Sequence, residues 1–252
     1  MSNMNHRNIF CFALLIFVVS CSKENINQRF DIIAHQGYWK ASAGASNSIL
    51  GLTESVRLGI DGVEIDIRIT ADDSLVLCHD AKWGGNIVSN TSFSELRKTR
   101  LPDGSVIPTF REFVEIASRY DDIDLFIDVK ASEAIPKICE ILEEFCCSEQ
   151  SSLLISPGLV EKTSKKYRKA KFLAMGATKD LKSIKENGAF GISVQIDELR
   201  NNPSIIKEAH NLGLRVNAWV IKSESEIIWC SQNGVDYVTT DSPKECKRFL
   251  LQ

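Results

Sequence analysis

The sequence predicts a (β/α)8 TIM barrel, on three observations. Apolar β-like runs alternate with amphipathic helical patterns along most of the chain, which argues for parallel strands joined by helical crossovers. The length, 252 residues at 44% hydrophobic content, suits one large core in a single domain. One of nine strand-like runs must turn back as a hairpin, which leaves the eight that a closed barrel requires.

The N-terminal segment, residues 1–21, differs in composition from everything after it. His6 and Arg7 precede an apolar run from Ile9 to Val19 that is too short to span a bilayer comfortably, the pattern of a secretory signal. It ends in Val18-Val19-Ser20-Cys21, which resembles a bacterial lipobox, so Cys21 is the expected lipidation site and mature N-terminus. An ordinary cleaved signal followed by an incidental cysteine is the alternative. Polar residues 22–29 then form a tether, and residues 30–252 the barrel domain. The expected location is the bacterial cell envelope, lipid-anchored and facing the periplasm or cell surface. No other segment is apolar enough to cross a membrane.

The expected strands are Asp31 to His35, Val63 to Ile69, Leu75 to His79, Ile123 to Val129, Ser152 to Ile155, Phe172 to Met175, Phe190 to Val194, Leu214 to Ile221 and Tyr237 to Thr240. Between the second and third lies only Thr70-Ala71-Asp72-Asp73-Ser74, far shorter than a parallel crossover needs. Leu75 to His79 is therefore the returning arm of a hairpin. Helical patterns fall between the others, for example at Ser48 to Leu58, Phe110 to Arg119, Ser132 to Phe145, Pro203 to Leu212 and Ser223 to Gln232. Gly84-Gly85, Asn90 and Pro102-Asp103-Gly104 mark a small insertion after the second-strand hairpin, with one short helix near Ser94 to Lys98. Its place beside His79 suits a role in shaping a substrate pocket.

The formal charge is −3, from 30 basic and 33 acidic residues. Losing Arg7 with the leader leaves 29 against 33, or −4, and neither balance predicts a nucleic-acid partner. Setting aside Cys11 and Cys21, six cysteines remain without the paired spacing of a zinc site. Several lie in apolar stretches, where a free cysteine packs as a small hydrophobe, and no metal role is expected of them.

In such a barrel the side chains at the carboxyl ends of the strands converge on one face. His35, Glu64, Asp66, Asp128 and Lys130 should all reach it. Glu64 and Asp66 are two apart on a strand and point the same way, so without a cation they repel and are costly to desolvate. With Asp128 they form an oxygen-only set that suits Mg2+ or Ca2+ better than Zn2+. The plainer reading makes the pair partners of Arg68 or of solvent. Of the four histidines, His6 leaves with the signal and His210 lies in a polar helix where exposure is the default. His35 and His79 end candidate strands beside the acids, the equipment for acid–base chemistry at a metal.

Taken in order, His35-x-Gly37, Asn47-Ser48, Gly62-x-Glu64-x-Asp66, Thr70-x-Asp72, His79-Asp80, Pro108-Thr109, Asp128-x-Lys130, Trp219 and Thr240-Asp241-x-Pro243 resemble the motif series of the glycerophosphodiester phosphodiesterases. These are relatives of the phosphatidylinositol-specific phospholipases C, and the likeness runs from Ile32 to about Pro243. The resemblance implies a metal-assisted barrel enzyme that hydrolyses a glycerophosphodiester to glycerol phosphate and an alcohol. It makes His35 and His79 the general acid and base, in either order, and Glu64, Asp66 and Asp128 the ligands of one divalent cation. Lys130 would face the phosphate, and Trp219 would be an apolar wall for the glycerol carbons or an aromatic of the upper core.

Departures from the family pattern are specific. Gln36 stands where the family has Arg, so a neutral amide would meet the phosphate in place of a guanidinium, with activity lower by about one or two decades or with altered specificity. Ser46 and Asp128 each replace a Glu, and Trp219-Val220-Ile221-Lys222 keeps only the aromatic of its motif. These changes admit a second reading, a noncatalytic barrel that binds a phospho-ligand, and a third, an envelope scaffold with a decayed site.

Overall fold

The computed structural model describes residues 29–251. The expected signal, Cys21 and residues 22–28 of the tether lie outside the described residues.

Eight parallel strands form the barrel: β1 (Asp31–Ala34), β2 (Gly62–Ile69), β6 (Asp124–Val129), β7 (Ser151–Ile155), β8 (Lys171–Met175), β9 (Gly191–Gln195), β10 (Arg215–Ile221) and β11 (Tyr237–Thr240). Each pairs with its neighbour in this order, and β1 pairs with both β11 and β2, which closes the ring. The ninth strand, β3 (Leu75–Leu77), runs antiparallel to β2, with Ile67 opposite Leu77. This is the expected hairpin, made by a connection too short for a crossover.

The helices between the strands follow from local signals. In α1 (Ile49–Leu58), the Ser48 hydroxyl caps the first turn by accepting from the Gly51 amide at 2.9 Å, and Gly59 ends it at φ 65°. Thr109 with Glu112 and Ser223 with Glu226 build capping boxes at α3 (Phe110–Ala117) and α9 (Glu224–Asn233). Proline lies in the first turn of α4 (Ile135–Glu144), α5 (Pro157–Lys166) and α10 (Pro243–Leu250). The remaining helices are α6 (Leu181–Glu186), α7 (Ile196–Asn201) and α8 (Ser204–Asn211). The segment Ser132 to Phe145, expected as one helix, begins as a 3-10 turn over Ser132–Ala134 before α4.

The main core lies between the barrel wall and the helices, with Val63, Ile65, Ile67, Phe110, Phe113 and Phe172 among its buried members. A smaller cluster inside the barrel joins Ile33, Phe126, Leu154 and Leu173, with Phe126 meeting Tyr237 edge to face at 5.1 Å. The insertion is more structured than its turn residues suggest. It holds a small hairpin of β4 (Lys82–Trp83) and β5 (Asn86–Ile87), a 3-10 turn at Val88–Asn90 and α2 (Phe93–Leu96). Val76, Cys78, Val88, Leu96 and Ile107 form a satellite core beneath it, and Trp83 Nε1 donates to Leu96 O at 3.1 Å.

All six cysteines among the described residues are free, and only Cys146 is exposed. Burial pushes the Cys139 and Cys246 thiols up to about 12, as expected of cysteines that pack as hydrophobes. His210 is exposed on α8, yet its Nε2 lies 2.8 Å from the buried Asp236 carboxylate, which also takes Arg215 and the Val216 amide. It is thus an anchor of the barrel's lower rim rather than an idle surface residue. Among the described residues no helix is long and apolar enough to cross a membrane.

Candidate active site

His35 follows β1 directly, and Gly37 lets the turn after it pass close to α1. A Cβ on Gly37 would stand 3.0 Å from the Gly51 backbone, and its φ of +74° suits glycine. Glu64 and Asp66 alternate with core residues on β2, so both face inward, and Asp128 lies opposite Asp66 in the β2–β6 register. One ligand oxygen from each of Glu64, Asp66 and Asp128 can be chosen so that all lie within 4.8 Å of one another. His79 comes two residues after β3 and brings the returning arm of the hairpin to the same mouth. Neither histidine is inside its strand, since β1 ends at Ala34 and β3 at Leu77.

A cavity of about 290 Å³ is lined by His35, Glu64, Asp66, His79, Asp128, Lys130 and Trp219, and Leu154, Met175, Asn217, Val220 and Thr239 complete its walls. Seven of the nine residues assigned a role by sequence therefore meet in one cavity. Of the other two, Gln36 reaches the acids from beside it, its Nε2 3.0 Å from Asp66 Oδ2, and Cys21 lies outside the described residues.

The acids set the electrostatics. Glu64 and Asp66 are 4% and 1% exposed. Burial, reinforced by the Asp66 charge, holds the Glu64 carboxyl well above the usual carboxylate range. Burial also raises Asp128, outweighing the neighbouring ammonium. Lys130 Nζ lies 2.9 Å from Asp66 Oδ1 and 2.6 Å from Asp128 Oδ2. Burial pulls its ammonium down, but the Asp66 and Asp128 charges prevail and raise it. One ammonium pairs directly with two acids, while Glu64 Oε2 lies 3.9 Å from His35 Nε2 and feels Lys130 only as a more distant charge. Three buried or half-buried carboxylates with a single full positive charge among them are a donor set that fits a hard divalent cation. Arg68 is not their partner, because its guanidinium donates twice to the His79 carbonyl, at 3.0 and 2.8 Å. The plainer reading of Glu64 and Asp66 is overturned on this geometry.

Both imidazoles are held through Nδ1. Asp241 Oδ1 lies 2.7 Å from His35 Nδ1 and also accepts from Trp39 Nε1 at 3.1 Å. The hydrogen bond from His35 holds the Asp241 carboxyl below its usual range, despite opposing burial. An ionised carboxylate only accepts, so Nδ1 carries the proton and Nε2 is left for chemistry. Asp80 Oδ1 holds His79 Nδ1 in the same way at 2.8 Å. Sequence reading placed Asp241, Asp80 and Asn47 in motifs without giving them these roles, and missed Trp39. Asn47 clamps Asp66 from two sides, donating from Nδ2 to Oδ2 at 2.8 Å and accepting the Asp66 amide on Oδ1 at 2.9 Å.

Known proteins show the same architecture. The chain is 24% identical over 253 residues to a probable glycerophosphodiester phosphodiesterase 1 of Mycobacterium tuberculosis, spanning 87% of this chain and 92% of that one. A crystal structure of a glycerophosphodiester phosphodiesterase from Parabacteroides distasonis superposes with a TM-score of 0.83 at 24% identity, covering 89% of this chain and 98% of that one. A phosphodiesterase from Oleispira antarctica in complex with the product sn-glycerol-3-phosphate superposes at 0.76 and 19% identity, covering 88% and 97%. These likenesses show a shared fold. The glycerophosphoryl diester phosphodiesterase family itself matches residues 35–245, a span that contains both histidines, all three carboxylates, Lys130 and Asp241. The chain thus belongs to the glycerophosphoryl diester phosphodiesterase family, and with it to the phosphoric diester hydrolases.

Proposed function

We propose that the protein hydrolyses glycerophosphodiesters to glycerol phosphate and an alcohol, with His35 and His79 as the general acid–base pair and Glu64, Asp66 and Asp128 as ligands of one Ca2+ or Mg2+ ion. The observation that carries this reading is that two imidazoles, each held by an aspartate at Nδ1, line one cavity with the three acids.

One imidazole Nε2 takes the proton of the attacking hydroxyl, while the other donates a proton to the departing alkoxide; each transfer is worth roughly 10²- to 10⁴-fold. Asp241 and Asp80 keep the tautomers in which Nε2 is the working nitrogen, and Asp241 steadies the charge that forms on His35. Lys130 supplies positive charge to the phosphate from the edge of the acid cluster, and Trp219 offers an apolar face to the glycerol carbons. Glu64, Asp66 and Asp128 would hold the cation, which would supply Lewis-acid polarisation of a phosphoryl oxygen and help to ionise the attacking hydroxyl. The cavity, at about 290 Å³, is at the small end of ligand sites and suits a glycerol phosphate group with its alcohol extending outward.

Turnover of glycerophosphocholine and of a chromogenic phosphodiester, measured with Ca2+, with Mg2+ and with EDTA, tests the reading. Metal-dependent hydrolysis lost in His35→Ala and in His79→Ala supports it. Binding of glycerol phosphate without turnover under every condition favours the noncatalytic barrel, and neither activity favours the scaffold. The leader pattern further supports export and lipid attachment at Cys21. Cys21→Ser should then abolish incorporation of labelled fatty acid and release the protein from membranes, and unchanged labelling would refute it.

A further inference from the structure

We infer that Gln36 is a positioning residue that restricts Asp66 to one ligand oxygen, rather than a grip on the substrate phosphate; this rests on the metal reading above. Gln36 has a φ of 56°, which residues other than glycine rarely adopt. The turn is pinned at both ends of this residue. Its amide donates to Glu64 Oε2 at 3.0 Å, and its carbonyl accepts from the Asn47 amide at 2.9 Å. From that backbone the side chain reaches the acids, with Nε2 donating to Asp66 Oδ2 at 3.0 Å.

Asn47 Nδ2 donates to the same oxygen at 2.8 Å, and its own orientation is settled because Oδ1 accepts the Asp66 amide. Two N–H donors thus fill the two lone pairs of Asp66 Oδ2. Oδ1 is left to face positive charge, as its 2.9 Å contact with Lys130 shows. A neutral amide can hold the carboxylate in this pose without adding a charge that would compete with a cation. A ligand restrained beforehand loses less freedom on binding. Single-oxygen donation also favours Mg2+, which demands strict six-coordination, over Ca2+, which readily takes a carboxylate through both oxygens.

Calorimetric titration of Mg2+ and Ca2+ into the full protein and into Gln36→Met tests this. Methionine keeps the length and loses the donor, and Gln36→Leu serves if the first variant does not fold. Mg2+ affinity should fall about 10-fold, the usual scale for such supporting contacts, and Ca2+ affinity less. Activity should recover at high Mg2+, and KM at saturating cation should move by less than about threefold. Unchanged affinities for both cations in the variants would overturn the inference alone, as would a raised KM at saturating cation with cation binding intact, the sign of a phosphate grip. If the unsubstituted protein binds neither cation, the metal reading falls and this inference with it.

Discussion

At the scale of single residues, each histidine is positioned by groups outside its own strand. Asp241→Asn keeps a carbonyl that can accept from His35 and Trp39, so the fold should persist while kcat falls about 10²-fold for want of the charge that steadies the imidazolium. The same pair has a signature in pH. The folded Asp241 carboxyl is held below its ordinary value of 3.8, first by the His35 hydrogen bond, so its stabilisation is complete above that value and is lost as pH falls through the lowered one. Melting temperatures measured from pH 6 to pH 2 should show an acid-side decline that is shallower in Asp241→Asn. Arg68 acts on the other histidine through its carbonyl. Arg68→Met should lower kcat by up to about 10²-fold, by letting His79 drift, with a much smaller effect on KM; an unchanged kcat would show that the hairpin holds His79 unaided. The histidines and acids were legible in the sequence because their motifs are short and ordered. The roles of Asp241 and Trp39 were not, since Asp241 contacts His35 across 206 residues of chain.

At the scale of elements, the hairpin and insertion are a separate packing unit that carries His79, one of the two histidines of the proposed acid–base pair. Leu96 is fully buried beneath it with Val76, Cys78, Val88 and Ile107. Leu96→Ala should cost about 2–5 kcal/mol locally, and proteolysis within residues 81–107 together with loss of activity should precede global unfolding. Coincident loss of activity and of the far-UV circular dichroism signal would argue instead that the insertion unfolds only with the barrel. The hairpin was legible because five residues cannot make a parallel crossover. The satellite core was not, because its apolar residues are scattered among turn residues and have no period of their own.

For the whole molecule, chemistry and stability lie at opposite ends of the barrel. At the lower rim, Asp236 gathers His210, Arg215 and the Val216 amide. Asp236→Ala should leave that buried amide without a partner and cost about 1–3 kcal/mol, seen in denaturant titration, while kcat at 25 °C stays unchanged. A fall in kcat at full folding would contradict this division of the barrel. At the upper mouth the balance is reversed: three acids are crowded around one ammonium, an arrangement costly to desolvate without a further cation.

The sequence by itself determined the eightfold winding, the returning arm after β2 and the set of groups at the mouth, because strand period, connection length and motif order are local properties of the chain. Tertiary structure alone decided which partner each group takes. Closure of β1 against β11 brings Asp241 to His35, the turn at Gln36 sends its amide to Asp66, and the hairpin delivers Arg68 to the His79 carbonyl. Hydrogen bonds depend on angstrom-scale placement of residues far apart in the chain, and a one-dimensional pattern carries no information at that scale.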